Sequence, residues 1–67
     1  MARKANEYTY RVSWSEEDSN LIATVAEFPS LSCVDDQQEG ALHGLADLVE
    51  DVLVDMAERG GVPPTPL

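Results

Sequence analysis

Hydrophobic and polar residues alternate strictly along Tyr8-Thr9-Tyr10-Arg11-Val12-Ser13-Trp14-Ser15. Tyr8, Tyr10, Val12 and Trp14 fall on one side, and Thr9, Arg11, Ser13 and Ser15 on the other. That is the period of a strand with one buried face. Glu16-Glu17-Asp18-Ser19-Asn20 is a solvated polar turn, in which Asn20 can take the left-handed conformation that hairpins often require. Leu21–Ala26 is a second β-rich run, and so short a connection makes it the antiparallel partner of the first. Pro29 has no N–H to donate, so the ladder is expected to break at Phe28-Pro29. Leu31-Ser32-Cys33-Val34 reads as a third, short strand.

After Val34 the period changes from 2 to 3.6. Asp36-Gln37-Gln38-Glu39 has the form of a capping box, with Asp36 as N-cap and Glu39 at the third helical position. Leu42, Leu45, Val49, Val52 and Met56 then step by 3, 4, 3 and 4 along one face, flanked by Ala41, Ala46, Leu48, Leu53 and Ala57. The spacing predicts a helix near residues 37–59, closed by the cation and glycines of Arg59-Gly60-Gly61. Val62–Leu67 contains Pro63, Pro64 and Pro66 and is expected to be extended. The fold class that follows is α+β, in the order β-β-β-α. A three-stranded antiparallel sheet carries one helix on one face, in a single domain over residues 8–62. A flexible arm (1–7) precedes it, and an extended Pro-rich tail (63–67) follows.

Size limits what such a domain can do. The 67 residues are 43% hydrophobic and include four aromatics, Tyr8, Tyr10, Trp14 and Phe28, enough for a thin core only. Self-association, as a dimer or higher homo-oligomer, is the expected remedy for so small a core and for uncovered sheet edges. Thirteen acids against four bases leave a net charge of −9. Such a surface repels phosphate backbones, so direct nucleic-acid binding is not expected, whereas a basic protein partner would suit it. One cysteine rules out an internal disulfide, and one cysteine with one histidine cannot build a zinc site. No cofactor is expected. No apolar run is long enough for a membrane span, and Met1–Asn6 has no apolar stretch of the signal-peptide kind. The expected location is cytoplasmic.

Candidate chemistry lies mainly on the polar side of the helix, at Asp47, Glu50, Asp51, Asp55 and Glu58. Asp47, Asp51 and Asp55 stack at four-residue spacing, which destabilises an isolated helix by about a few tenths of a kcal/mol per pair. The face is either simply solvated or an electrostatic docking surface. Divalent-metal binding is the least suited reading, because carboxylates on one exposed helix diverge. His43 is the one histidine and faces solvent near the helix start, with no nucleophile or orienting group converging on it. Gly44 inside the helix costs about 1 kcal/mol against alanine; it either permits close packing of a strand or second subunit or is tolerated. Cys33 reads as a small core or edge-strand residue. Tyr8, Tyr10 and Trp14 are better explained by a helix-covered sheet than by a base-stacking platform, given the negative charge.

The ordered set YTYRVSWS, EEDSN and LIATVAEFPSLS resembles the HicB-like antitoxin domain. That family reads as a Tyr-rich strand, an acidic turn, a "y-v-A-x-v-P-e-f-P-g" stretch and a "T-x-E-E-A-l" helix start. Ala23, Val25, Glu27, Phe28, Pro29, Ser30 and Leu31 match the stretch, and Gln38, Glu39, Ala41 and Leu42 match the helix start. Gly60-Gly61-Val62-Pro63-Pro64-Thr65-Pro66 is similar to the family's "G-x-x-i-P-x-P". The resemblance covers about residues 8–66. Gly40 departs from it where an acid is usual, as do Asp35-Asp36 at the helix entry. Nothing in the 67 residues resembles the helix-turn-helix or ribbon-helix-helix module that many members carry.

The resemblance implies a partial RNase H-like fold without its catalytic carboxylates. It also implies a function: binding and neutralising HicA, a small basic mRNA-cleaving toxin. An enzyme is not expected. RNase H-like chemistry needs about four carboxylates converging on two Mg²⁺ ions, whereas five of the thirteen acids here share one helix face and three share one turn. The expected partner-binding residues are Asp47, Glu50, Asp51, Asp55 and Glu58 for steering, with Phe28 and Leu31 beside Pro29 as exposed apolar anchors. The alternative is a stand-alone HicB-like dimer, an interaction or regulatory protein without a toxin.

Overall fold

A polar turn and then a connection bent at Pro29 fold the β-rich runs back on one another before the helix closes over them. The computed structural model describes residues 5–67. A 3-10 turn at Ala5–Glu7 leads into strands β1 (Tyr10–Ser15), β2 (Asn20–Val25) and β3 (Ser32–Asp35) and then helix α1 (Gln38–Glu58). The sheet is antiparallel in the order β1-β2-β3, and α1 packs on one face of it, the α+β arrangement expected from the change of period. Val12 lies opposite Ala23 and Ala23 opposite Cys33, so the helix-facing side of β1 is the side that the alternation marked.

Two local expectations are corrected. In the hairpin, the left-handed residue is Ser19 (φ 51°), while Asn20 is already the first residue of β2. The turn is stitched by the Ser15 hydroxyl, which donates to Asp18 Oδ2 at 3.2 Å and accepts from the Asp18 N–H at 3.4 Å. At the helix start, Asp36 does not cap. The N-cap is Gln37, with extended backbone (φ −128°, ψ 146°) and no side-chain cap bond. Asp35 does the local work instead, accepting the Gln37 N–H at 3.1 Å. That bond, followed by a hydrogen bond with the Asp36 side chain, holds the Asp35 carboxyl below its ordinary value. The same shared contact, and then the Asp35 charge, pushes Asp36 up. A Cβ on Gly40 would lie 2.5 Å from Asp35 Oδ2, so the missing side chain leaves room for this carboxylate over the first helical turn.

The buried helix stripe is Ala41, Leu45, Val49 and Leu53, packed with Ala23, Val25, Tyr8 and Phe28 and flanked by Val52 and Met56. Leu42, expected in the stripe, is 36% exposed. The lateral position of α1 explains this shift. Ala23 and Ala41 are fully buried, and a Cβ on Gly44 would lie 2.5 Å from Cys33 Sγ. Small residues on both sides of this seam draw α1 over β2 and β3 and leave β1 less covered. Consequently Trp14, expected beneath the helix, is 58% exposed.

Both flanks of the domain are tied down. Ala5–Glu7, expected within a flexible arm, form the 3-10 turn; Ala5 is buried and its carbonyl accepts the Tyr10 hydroxyl. Residues 1–4 of that arm lie outside the described residues. At the other end Gly60 takes φ 74°, and the N–H groups of Gly60 and Gly61 donate to the Ala57 and Met56 carbonyls, a Schellman closure. The chain then turns back, without helix or strand, beside the Tyr8–Phe28 edge-to-face pair (5.2 Å, 75°). The Tyr8 hydroxyl donates to the Pro64 carbonyl at 3.0 Å, and the Leu67 N–H donates to Glu27 Oε2 at 2.9 Å. Glu27 also accepts the Thr9 N–H at 2.9 Å and the Thr9 hydroxyl at 3.1 Å. Burial works against the Glu27 charge, but the Leu67 and Thr9 amides, its own N–H and the Thr9 hydroxyl outweigh it, so its carboxyl sits below the ordinary glutamate value. Among the described residues no helix is long and apolar enough to cross a membrane.

Leu45→Asp or Val49→Asp buries a charge without a partner, at several kcal/mol against a total of about 3–10 kcal/mol for a domain this size. Neither variant is expected to show a cooperative thermal transition, whereas Asp51→Ala should melt at or slightly above the parent temperature. Equal melting of Val49→Asp and parent would contradict the packing of α1. The Glu27 clamp carries a pH dependence whose sign is fixed by its depressed value. Its stabilisation is present above the unfolded glutamate value and is lost as pH falls through the lower folded one. The Thr9 and Leu67 amide resonances should therefore titrate together below the ordinary glutamate range. In Glu27→Gln that joint titration should vanish; its persistence would assign it elsewhere.

Candidate functional site

The outward side of α1 presents the five expected carboxylates, Asp47, Glu50, Asp51, Asp55 and Glu58, all exposed. Their position follows from the helical period: with Leu45, Val49 and Leu53 inward, these positions face solvent. Asp55 pairs with Arg59 one turn later at 3.2 Å, both side chains remaining exposed. Among the described residues no cation pairs with Asp47, Glu50, Asp51 or Glu58. No three His, Cys, Asp or Glu side chains among the described residues are placed to hold a metal ion. The Glu16-Glu17-Asp18 turn is also exposed, at the hairpin end of the sheet.

The uncovered flank of the sheet adds a feature that the alternation alone does not reveal. An open groove of about 960 Å³ runs between α1 and the Ala5–Tyr10 region. Tyr10, Leu42, Ala46, Leu53 and Val54 supply its apolar surface, and Asp47, Glu50 and Asp51 its acidic rim. The chain builds this in two parallel lines at four-residue spacing: Leu42, Ala46, Glu50 and Val54 along one, His43, Asp47 and Asp51 along the next. Burial, and then the negative charges of Glu27, Tyr8 and Glu50, hold the Tyr10 phenol above its ordinary value. Its proton stays in the hydrogen bond to the Ala5 carbonyl that fixes one wall. His43 is exposed at the groove edge.

The two expected apolar anchors do not join this surface. Phe28 is only 8% exposed and belongs to the core, a correction with a clear cause. Its N–H donates to the Val25 carbonyl and its own carbonyl accepts the Leu31 N–H, so two tight turns around Pro29 roll the ring inward onto Tyr8. Leu31 is half-buried and packs against the same core. Asp55 and Glu58 lie further along α1, outside the groove. Sequence reasoning read the groove residues Tyr10 and Ala46 as parts of the packed interior and did not name Val54. Val54 had a usable signal: it is a valine among the acids, off the apolar stripe. No protein-family model, no curated protein and no solved structure matches this chain.

Proposed function

We propose that this chain is a HicB-like binding protein, non-enzymatic and cytoplasmic, that neutralises a small basic HicA-like mRNA-cleaving toxin by direct contact. The observation that carries the reading is the exposed row of carboxylates on α1 in a chain of net charge −9. Such a field attracts a basic partner and speeds encounter, and it does so most at low salt. The ordered sequence pieces from Tyr8 to Pro66 support the same family, with the partial RNase H-like fold that it implies. A second reading, a stand-alone HicB-like dimer without a toxin, draws on a different observation. Trp14 and Val34 are 58% and 44% exposed on the two outer strands, whose free edges are suited to self-pairing.

The proposal is tested by asking whether the adjacent reading frame encodes a small basic protein and by co-expressing that protein with this chain. The parent chain should relieve the growth arrest that this protein causes. Association should slow by about one to three orders of magnitude as salt rises. Converting Asp47, Asp51 and Asp55 together to Lys should slow it strongly at low salt and flatten the salt dependence. Absence of rescue removes the antitoxin reading. Absence of rescue together with sedimentation at twice the chain mass at micromolar concentration favours the dimer instead.

A further inference from the structure

The acidic rim alone does not account for the surface of α1. Leu42 and Val54 stand 36% and 58% exposed on a line that also carries Ala46 and Glu50, next to the line of Asp47 and Asp51. Single exposed apolar residues are ordinary. Here, however, Leu42 and Val54 share one groove with Ala46 and the half-buried Tyr10 ring.

We propose that the groove between α1 and the Ala5–Tyr10 region is a docking site for a cationic amphipathic helix of a partner protein. The helix lays its apolar stripe along Leu42, Ala46 and Val54 and its basic flank against Asp47 and Asp51, with Glu50, between Ala46 and Val54, meeting a cation at the edge of the stripe. This deepens the reading above and rests on it for the class of partner. Charge complementarity selects the occupant. A second copy of this chain would bring another −9 to an acidic rim, and a nucleic acid would bring phosphates; both are repelled. A cationic helix gains from each component separately: the rim steers and orients it, and the apolar line excludes water and holds it. Charge alone would bind any polycation, so the apolar line is what confers selectivity for an amphipathic one.

The test uses two synthetic peptides of about 14 residues with identical lysine, alanine and leucine content. One places leucine at i, i+4 and i+7; the other scatters leucine around the helix. Titrated into the isotope-labelled full chain, the amphipathic peptide should bind about tenfold tighter than its isomer. Its amide shifts should centre on Tyr10, Leu42, Ala46 and Val54. Val54→Asn, at an exposed position, should remove most of that tenfold preference while leaving the melting temperature unchanged. Leu42→Asn provides an independent check should Val54→Asn perturb folding. Equal affinity for the two peptides overturns the proposal, as do shifts centred on the outer sheet face at Ile22 and Val34. Failure here with toxin rescue intact leaves the antitoxin reading standing. Groove binding without rescue leaves the docking site standing and removes the toxin.

Discussion

One helix cannot cover three strands. Neighbouring strands lie about 4.8 Å apart, so a three-stranded sheet presents a face wider than the contact strip of a single helix. The helix must sit to one side, and which side is decided where small residues let it settle onto the sheet. In this chain that place is Gly44 against Cys33, with Ala23 and Ala41 fully buried nearby. The helix is drawn over β2 and β3, and β1 is left as a partly open shelf. The exposure of Trp14, the groove beside Tyr10 and the outward turn of Leu42 all follow from that lateral choice.

Local features were legible in the sequence because they depend on neighbours in the chain. Alternation from Tyr10 to Ser15 correctly assigns the sides of β1, and the apolar period correctly places a helix over Gln38–Glu58. Alternation states which side a residue faces, not whether anything covers it, so Trp14 was assigned to the right side with the wrong exposure. Phe28 fails for a related reason. Pro29 does interrupt the ladder, but the turns around it fold the ring into the core through contact with Tyr8, twenty residues earlier. The helix cap was missed because Asp35, Asp36 and Gln37 offer competing local bonds, and the missing Cβ of Gly40 favours Asp35. The acidic rim was readable from spacing alone. The groove was not, because one wall comes from Ala5 and Tyr10 and the other from α1.

The charge distribution carries its own tension. Asp47, Asp51 and Asp55 repel one another along the helix, and among the described residues only Asp55 has a cation, Arg59, beside it. Such repulsion weakens a helix modestly, and the inward stripe of Leu45, Val49 and Leu53 compensates because tertiary burial outweighs propensity and surface charge. Among the described residues the core side chains are apolar but for the Tyr8 hydroxyl, which donates to the Pro64 carbonyl. Stability and surface chemistry are thus carried by opposite sides of the same helix, so the outward side can vary with little effect on the inward one.

The hydrogen bonds of Glu27 also give the chain an almost circular path. One carboxylate receives the N–H of Thr9 and the N–H of Leu67, so the tail finishes beside the entrance to β1, at the Tyr10–Val25 end of the sheet. The Glu16–Ser19 turn lies at the opposite end, a strand length of about 20 Å away. A polypeptide fused after Leu67 therefore emerges far from the acidic hairpin. A short linker from Leu67 back to Ala5 would close the ring, allowing new ends to be opened in that hairpin with every strand keeping its neighbour.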